Sequence, residues 1–379
     1  MKTYPLECIT LEEAMQLQFR AVDTATRYLN GYEALSLGDL GVCAGINKPL
    51  RTNQVERIFA DMFHAESALF VRGAGSGAIR WALASMLRPG DTLLVHNAPI
   101  YPTTQTTLET MGIKTIAVDF NRPEEIEQRA LELRKLVKTV LIQHTRQQIH
   151  DNYGFSCLVR LFKQLLPEIP IITDDNYAAL KVREIGCQAG AEISTFSCFK
   201  ILGPEGVGVL IGREQYIERV AKLQYSGGSQ VQGHEAMSAL RGLIYAPVSL
   251  AVSARVTNEL FERLNNRELP EVKQAYIANA QSRVLLVEFQ EPIADELLKI
   301  TPKFGAAPHP VGSESIYETA PMIYRISGTF RKADPMLEKR MIRINPMRSG
   351  ADSVIRILKE SIICLKEERG CNCVSKKTD

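Results

Sequence analysis

The sequence predicts an α/β protein: a three-layer sandwich with a mainly parallel sheet between helices, followed by a smaller C-terminal α/β domain. Three observations carry that expectation. Between residues 54 and 245 short apolar runs alternate with longer amphipathic ones, the pattern of strands joined by crossover helices. Beyond a long helical stretch the alternation resumes on a smaller scale. The length, 379 residues, supports two or more domains and a large core.

The elements follow in order. Residues 1–50 read as a helical and irregular arm. Thr10-Leu-Glu-Glu13 fits a capping box, with Thr10 as N-cap and Glu13 reaching back. Met15, Phe19 and Val22 recur at helical spacing, a stripe suited to the chain's own core or to a second subunit. Residues 51–247 form the large domain, with strands expected at 67–71, 92–96, 114–118, 139–143, 169–173 and 206–212 and helices at 78–87 and 158–166. Pro89-Gly90-Asp91 is a turn. Pro247 is expected to open a helix over 248–265 that leads into the small domain, 248–369. There, strands are expected at 283–289, 322–328 and 341–345 and helices near 292–300 and 351–367. Residues 370–379 are expected to be a disordered tail.

Composition narrows the function classes. The chain is 45% hydrophobic and 23% charged, with a net charge of +2, so no global field invites nucleic acid or an acidic membrane surface. The opening MKTYPLECITLEE lacks the apolar core of a secretory signal, and no run reads as a bilayer span. Eight scattered cysteines suit reduced thiols better than a disulfide framework. The expectation is a cytoplasmic protein with no nucleic-acid or membrane partner. No metal site is expected, because Cys371 and Cys373 have too few ligands nearby.

Three motifs carry chemistry. Lys200 lies in STFSCFKILGPEGVGVLIG, residues 194–212. Burial there would favour the neutral amine, a nucleophile toward carbonyls; taken alone, a lysine snorkelling from a strand end fits better. GAGSGA, residues 73–78, follows a strand and opens a helix. Free N–H groups and the helix dipole make that an anion site, and a tight turn without a ligand accounts for it equally well. It is not a dinucleotide fingerprint, because Val95-His96-Asn97 supplies no ribose-binding acid. IITDDNYAAL places Asp174 and Asp175 at a strand end, where open α/β sheets gather ligands and a carboxylate can pair with a protonated ring nitrogen. An Asp-rich turn or helix N-cap is the plainer alternative. The order then matters: glycine loop, strand-end acid, and a lysine 26 residues after Asp174.

That order resembles the fold type I pyridoxal-phosphate enzymes, the aspartate-aminotransferase-like superfamily. FKILGPEGVGVLIG looks most like the cysteine-desulfurase and class V aminotransferase branch, while residues 51–104 look more like the cystathionine and methionine lyases. The whole chain most resembles a bacterial group, the YhfS-like proteins. The resemblance implies pyridoxal 5'-phosphate as cofactor. It implies Lys200 as the Schiff-base lysine, Asp174 (with Asp175 as runner-up) as the pyridinium partner, and Tyr177 as a group for the phenolic oxygen. Gly75, Ser76, Gly77 and Ala78 would form the phosphate cup with Ser197. Tyr101 would stack on the ring, and Ser229 in YSGGSQVQG would reach the partner subunit's phosphate. For the substrate carboxylate it points to an arginine of the C-terminal domain, Arg343 first, then Arg325 and Arg348. His144, in QHTRQQ, is a further candidate near the substrate.

The pattern also departs from its relatives. Phe199 stands where desulfurases place a histidine, and no catalytic-cysteine loop is recognisable near 325–336, which disfavours desulfuration. Asn47-Lys48-Pro49-Leu50-Arg51 replaces the tyrosine-x-arginine pair of many lyases. Cys198 reads as an inert core thiol. The expected activity is that of a homodimeric enzyme with shared active sites, acting on a small amino acid or amine. A lyase or β/γ-replacement reaction is the first choice and an aminotransferase the second. A non-catalytic binding protein on the same fold is remote, because Lys200 and Asp174 are both present.

Overall fold

In the computed structural model the six predicted strands and one further strand assemble into a seven-stranded sheet, and the described residues are 1–145, 148–281, 283–308, 314–327, 331 and 334–375. The strands are β1 (Ser67–Arg72), β2 (Thr92–His96), β3 (Lys114–Val118), β4 (Thr139–Gln143), β5 (Ile171–Asp174), β6 (Ile193–Ser197) and β7 (Val207–Gly212), in the order β1-β7-β6-β5-β4-β2-β3. The block from β6 to β3 is parallel, and only β7 runs against its neighbours. One edge therefore collects the carboxyl ends of β1, β2, β4, β5 and β6 together with the start of β7.

β6 is the strand that periodicity does not reveal. Its Ser194 and Thr195 look polar, yet all five residues are buried. Tertiary partners satisfy them: the Cys187 N–H donates to Ser194 Oγ at 2.7 Å, and Thr195 Oγ1 donates to the Thr173 carbonyl at 2.8 Å. Such pairing removes the penalty for burying a hydroxyl.

Helices cover both faces of the sheet. The helices up to the C-terminal unit are, in chain order, α1 (Leu11–Tyr28), α2 (Gly31–Leu35), α3 (Leu50–Met62), α4 (Ala74–Met86), α5 (Pro102–Met111), α6 (Pro123–Leu136), α7 (Phe155–Leu165), α8 (Gly186–Ala189), α9 (Glu214–Leu223) and α10 (Gly233–Asn265). The two core layers are built around Leu83, Leu93 and Leu210 on one face and around Phe120, Val159 and Phe162 on the other. The capping box of α1 is complete, with the Glu13 N–H donating to Thr10 Oγ1 and the Thr10 N–H to Glu13 Oε2. Ala14, Ala21, Thr24 and Ala25 form its buried face, so Met15, Phe19 and Val22 stay exposed on this chain.

Pro247 does not open a helix; it lies inside α10. An interior proline costs about 3 kcal/mol or more. Leu240, Leu243 and Leu250 are buried around it, and each contributes about 1.5–3 kcal/mol, which carries the helix through. By length and composition the helix over Gly227–Asn265 also qualifies as a bilayer span, contrary to the sequence reading. Of its most apolar window, 61% is buried inside the protein, so packing accounts for its hydropathy.

The chain divides into two units, Glu7–Gln147 with Asp151–Val248, and Ser249–Asp379 with Met1–Leu6 and Gln148–His150. Most of the N-terminal arm thus clusters with the large sheet. The second unit holds β8 (Val272–Ala278), β9 (Val284–Phe289), β10 (Met322–Arg325) and β11 (Met341–Asn345) in an antiparallel sheet ordered β10-β11-β9-β8. Its core packs Leu260, Leu285, Ile342 and Leu358. The final helix, Ala351–Ser375, runs past 367 and through six residues that sequence assigns to a disordered tail.

Candidate active site

The candidate site forms where the carboxyl-end edge of the large sheet meets the first turn of α4. β1 delivers Gly73, whose φ of +98° is left-handed and open to glycine at little cost. The Gly73 and Ala74 N–H groups both donate to the Gly206 carbonyl, which fixes the loop on the start of β7. Gly75, Ser76, Gly77 and Ala78 then lie in the first turn of α4. The N–H groups of Gly75 and Ser76 find no acceptor among the described residues. Ser76 Oγ lies 2.8 Å from Thr103 Oγ1, so the starts of α4 and α5 converge. Thr103 escaped the sequence reading, because nothing local links residues 76 and 103.

β5 ends at Asp174, in register with Gln143 of β4 and Thr195 of β6. Asp174 lines a small cleft with His96, Tyr101 and Gln143. Its Oδ1 accepts from the N–H of Asn176 at 3.1 Å and from Asn176 Nδ2 at 2.7 Å. Oδ2 has no partner among the described residues. Burial pushes the Asp174 carboxyl up to about 6; the Asn176 donors pull it back, and the Asp175 charge adds to the rise.

Asp175 sits differently. It is fully buried and accepts from Thr173 Oγ1 at 2.5 Å and from the Gly186 N–H, and it pairs with His144 Nδ1 at 2.7 Å. His144 is itself 3% exposed and stacks on Phe155 at 3.5 Å. A ring sealed on one face and bonded to Asp175 orients the sheet edge and presents no open surface to a substrate.

Lys200 lies in a 3₁₀ turn, Cys198–Ile201, directly after β6. Its Nζ stands 4.5 Å from the centroid of the Tyr177 ring, a cation–π distance. Tyr177 (φ +65°) and Leu202 (φ +59°) flank it in the left-handed region, which costs bulky residues about 1–3 kcal/mol each and marks sites held by their surroundings. Ser197 Oγ accepts from the Phe199 N–H at 3.2 Å, and its own O–H donates to nothing among the described residues. Cys198 is fully buried, which raises its thiol pKa and keeps it protonated. Tyr101 precedes α5 and is 60% exposed, so its ring is free to cover a ligand.

These residues fit a phosphorylated pyridine: an unpaired carboxylate oxygen for a ring N–H, an amine, an exposed aromatic face, and free N–H and O–H donors for a phosphate. Ser229 lies apart in its own loop, where its hydroxyl donates to the carbonyls of Ser226 and Gln224. Among the described residues no group of carboxylates, histidines and cysteines gathers as a metal site.

The C-terminal unit holds the arginines. Arg343 on β11 lays its guanidinium 4.0 Å from the Tyr324 ring centroid. With Arg325, Arg331 and Lys299 it lines a cavity of about 430 Å³. Arg348 is largely buried, 3.9 Å from Glu314 Oε2, and burial lowers its pKa.

Comparison with known proteins follows the same lines. The aminotransferase class-V family model matches residues 21–283, and the YhfS-like C-terminal domain model matches residues 258–358. The protein YhfS of Escherichia coli (strain K12) is 51% identical over 96% of this chain and 99% of its own. The crystal structure of that pyridoxal-5'-phosphate-dependent protein superposes with a TM-score of 0.93, covering 96% of this chain and 100% of the other. A cystathionine beta-lyase of Bordetella avium is 24% identical over 59% of this chain and 55% of its own. A carbon-sulfur lyase involved in aluminum resistance from Clostridium novyi NT, 17% identical, shares the fold with a TM-score of 0.70 over 93% of this chain and 91% of its own.

Proposed function

Because this chain belongs to the aminotransferase class-V family, whose cofactor is pyridoxal 5'-phosphate, we propose that it acts on a small amino acid or amine through Lys200. The observation that carries the reading is the asymmetry of Asp174, with one oxygen fixed and the other open at the sheet edge that also bears Lys200.

In this reading the Lys200 amine would hold the cofactor covalently. Asp174 Oδ2 would accept the ring N–H and favour the protonated form of that nitrogen. The first turn of α4 (Gly75, Ser76, Gly77, Ala78) and the Ser197 hydroxyl hold the phosphate. Tyr101 covers the ring face, and Tyr177 serves the phenolic oxygen. Bound pyridoxal phosphate supplies an electron sink for the pair left when a bond at the substrate carbon breaks. Lys200 would carry the proton at the substrate carbon as general base and acid. Arg343, stacked on Tyr324, is our first choice for the substrate carboxylate, with Arg325 second.

We favour a lyase or β/γ-replacement reaction, supported by the lyase-like first half and the lyase relatives. The class-V match keeps an aminotransferase as the second reading. The enzyme is proposed to be cytoplasmic and homodimeric with shared sites, Ser229 facing the partner's phosphate. Exposed Tyr32, Leu35, Leu37 and Leu40 support an apolar face for a second copy.

The test is spectroscopic. Protein loaded with pyridoxal phosphate should show a visible band that borohydride discharges and that Lys200→Ala lacks. An unchanged band in that variant would overturn the assignment. Incubation with amino acids then separates the reactions: ketoacid with ammonia or a thiol marks a lyase, and conversion of the cofactor to its pyridoxamine form marks a transaminase.

A further inference from the structure

Asn176 was not singled out by any motif, yet it joins three parts of the site. Its Nδ2 and backbone N–H both bond Asp174 Oδ1, at 2.7 and 3.1 Å. Its Oδ1 accepts from the Ser197 N–H at 3.0 Å. The amide also fills the space beside the glycine loop: a Cβ on Gly75 would come within 2.6 Å of both Asn176 Nδ2 and Oδ1. The side chain is thus fixed at every polar atom and wedged between α4, β5 and the end of β6.

We propose that Asn176 is a positioning residue: it holds Asp174 Oδ1 so that Oδ2 alone is presented to the cofactor's ring N–H, and it locks the glycine loop to the same carboxylate. Two donors on one oxygen fix the carboxylate plane, which a single donor leaves free to rotate. A side chain at position 75 would have to push this amide aside, so the phosphate turn and the group that orients the ring-nitrogen acid are in direct steric contact. This inference rests on the pyridoxal-phosphate reading of the site.

The experiment is a double-mutant cycle read as the dissociation constant of pyridoxal phosphate, measured by absorbance titration of protein stripped of cofactor. Asn176→Ala is expected to weaken binding about tenfold or more, the usual size for losing a hydrogen bond to a charged group. In an Asp174→Ala background, already weakened, the same change should cost little further, because the carboxylate it orients is gone. Asn176→Ser keeps a hydroxyl donor in a smaller volume and should recover part of the affinity; it also serves if the alanine variant fails to fold. Unchanged affinity in Asn176→Ala and Asn176→Ser, or an equal loss in both backgrounds, would overturn the proposal. Wild-type protein that takes up no pyridoxal phosphate would overturn the cofactor site itself, a different result from either.

Discussion

At the scale of single residues, Asp174 shows what a site imposes on its fold. An unfolded aspartate titrates near its ordinary 3.8, whereas burial holds the folded carboxyl up to about 6. Below pH 4 both states are protonated, and the burial has no ionic cost. As pH rises through 6 the folded chain must ionise a desolvated group, so stability is lost. Two pKa units correspond to roughly 3 kcal/mol. The cofactor-free Asp174→Asn variant should therefore be more stable than wild type at pH 8 and no more stable at pH 4. Urea unfolding at the two pH values measures the difference, and an equal gain at both would sink this account. Two cysteines behave in the opposite sense to reactive thiols: burial pushes Cys187 up to about 12 and also raises Cys198, which keeps both protonated.

At the scale of elements, α3 is the joint between the arm and the sheet. Its Glu56 is buried, accepts from Lys48 Nζ at 2.6 Å and takes the Phe70 N–H of β1 at 2.8 Å. Burial raises the Glu56 pKa, and Lys48 opposes the rise. Removing Lys48 leaves a carboxylate without its counter-ion, a loss of about 3–5 kcal/mol for a buried pair. Lys48→Ala should show that loss at pH 7 and a smaller one near pH 4, where Glu56 folds protonated. Denaturant unfolding checks it; a loss independent of pH would exclude the ionic cause. The segment that replaces the lyase tyrosine-x-arginine pair thus contributes a structural ion pair. Elements with a clear period, such as β2, β4 and β9, were legible in sequence. β6 was not, because its hydroxyls are satisfied by residues distant in the chain.

At the scale of the whole molecule, the exposed apolar residues of the arm predict association. Leu37 and Leu40 are 78% and 76% exposed, a costly arrangement for a lone chain. Replacing both by glutamate should shift a wild-type dimer toward monomer in sedimentation, with weaker cofactor retention if the sites are shared. A wild-type monomer would remove the dimer from the proposal. The sequence by itself determined the α/β class and the order of glycine loop, strand-end acid and lysine, because residue chemistry and hydrophobic period are written locally, and its resemblance to known enzymes implied the cofactor. Only the tertiary structure decided that Asp174 opens to the cleft while Asp175 is sealed behind His144, that Asn176 occupies the space left by Gly75, and that α10 continues through Pro247. Each of these depends on which way neighbouring residues point and on partners far away in the chain, and pairing across a folded sheet leaves no period for a linear pattern to record.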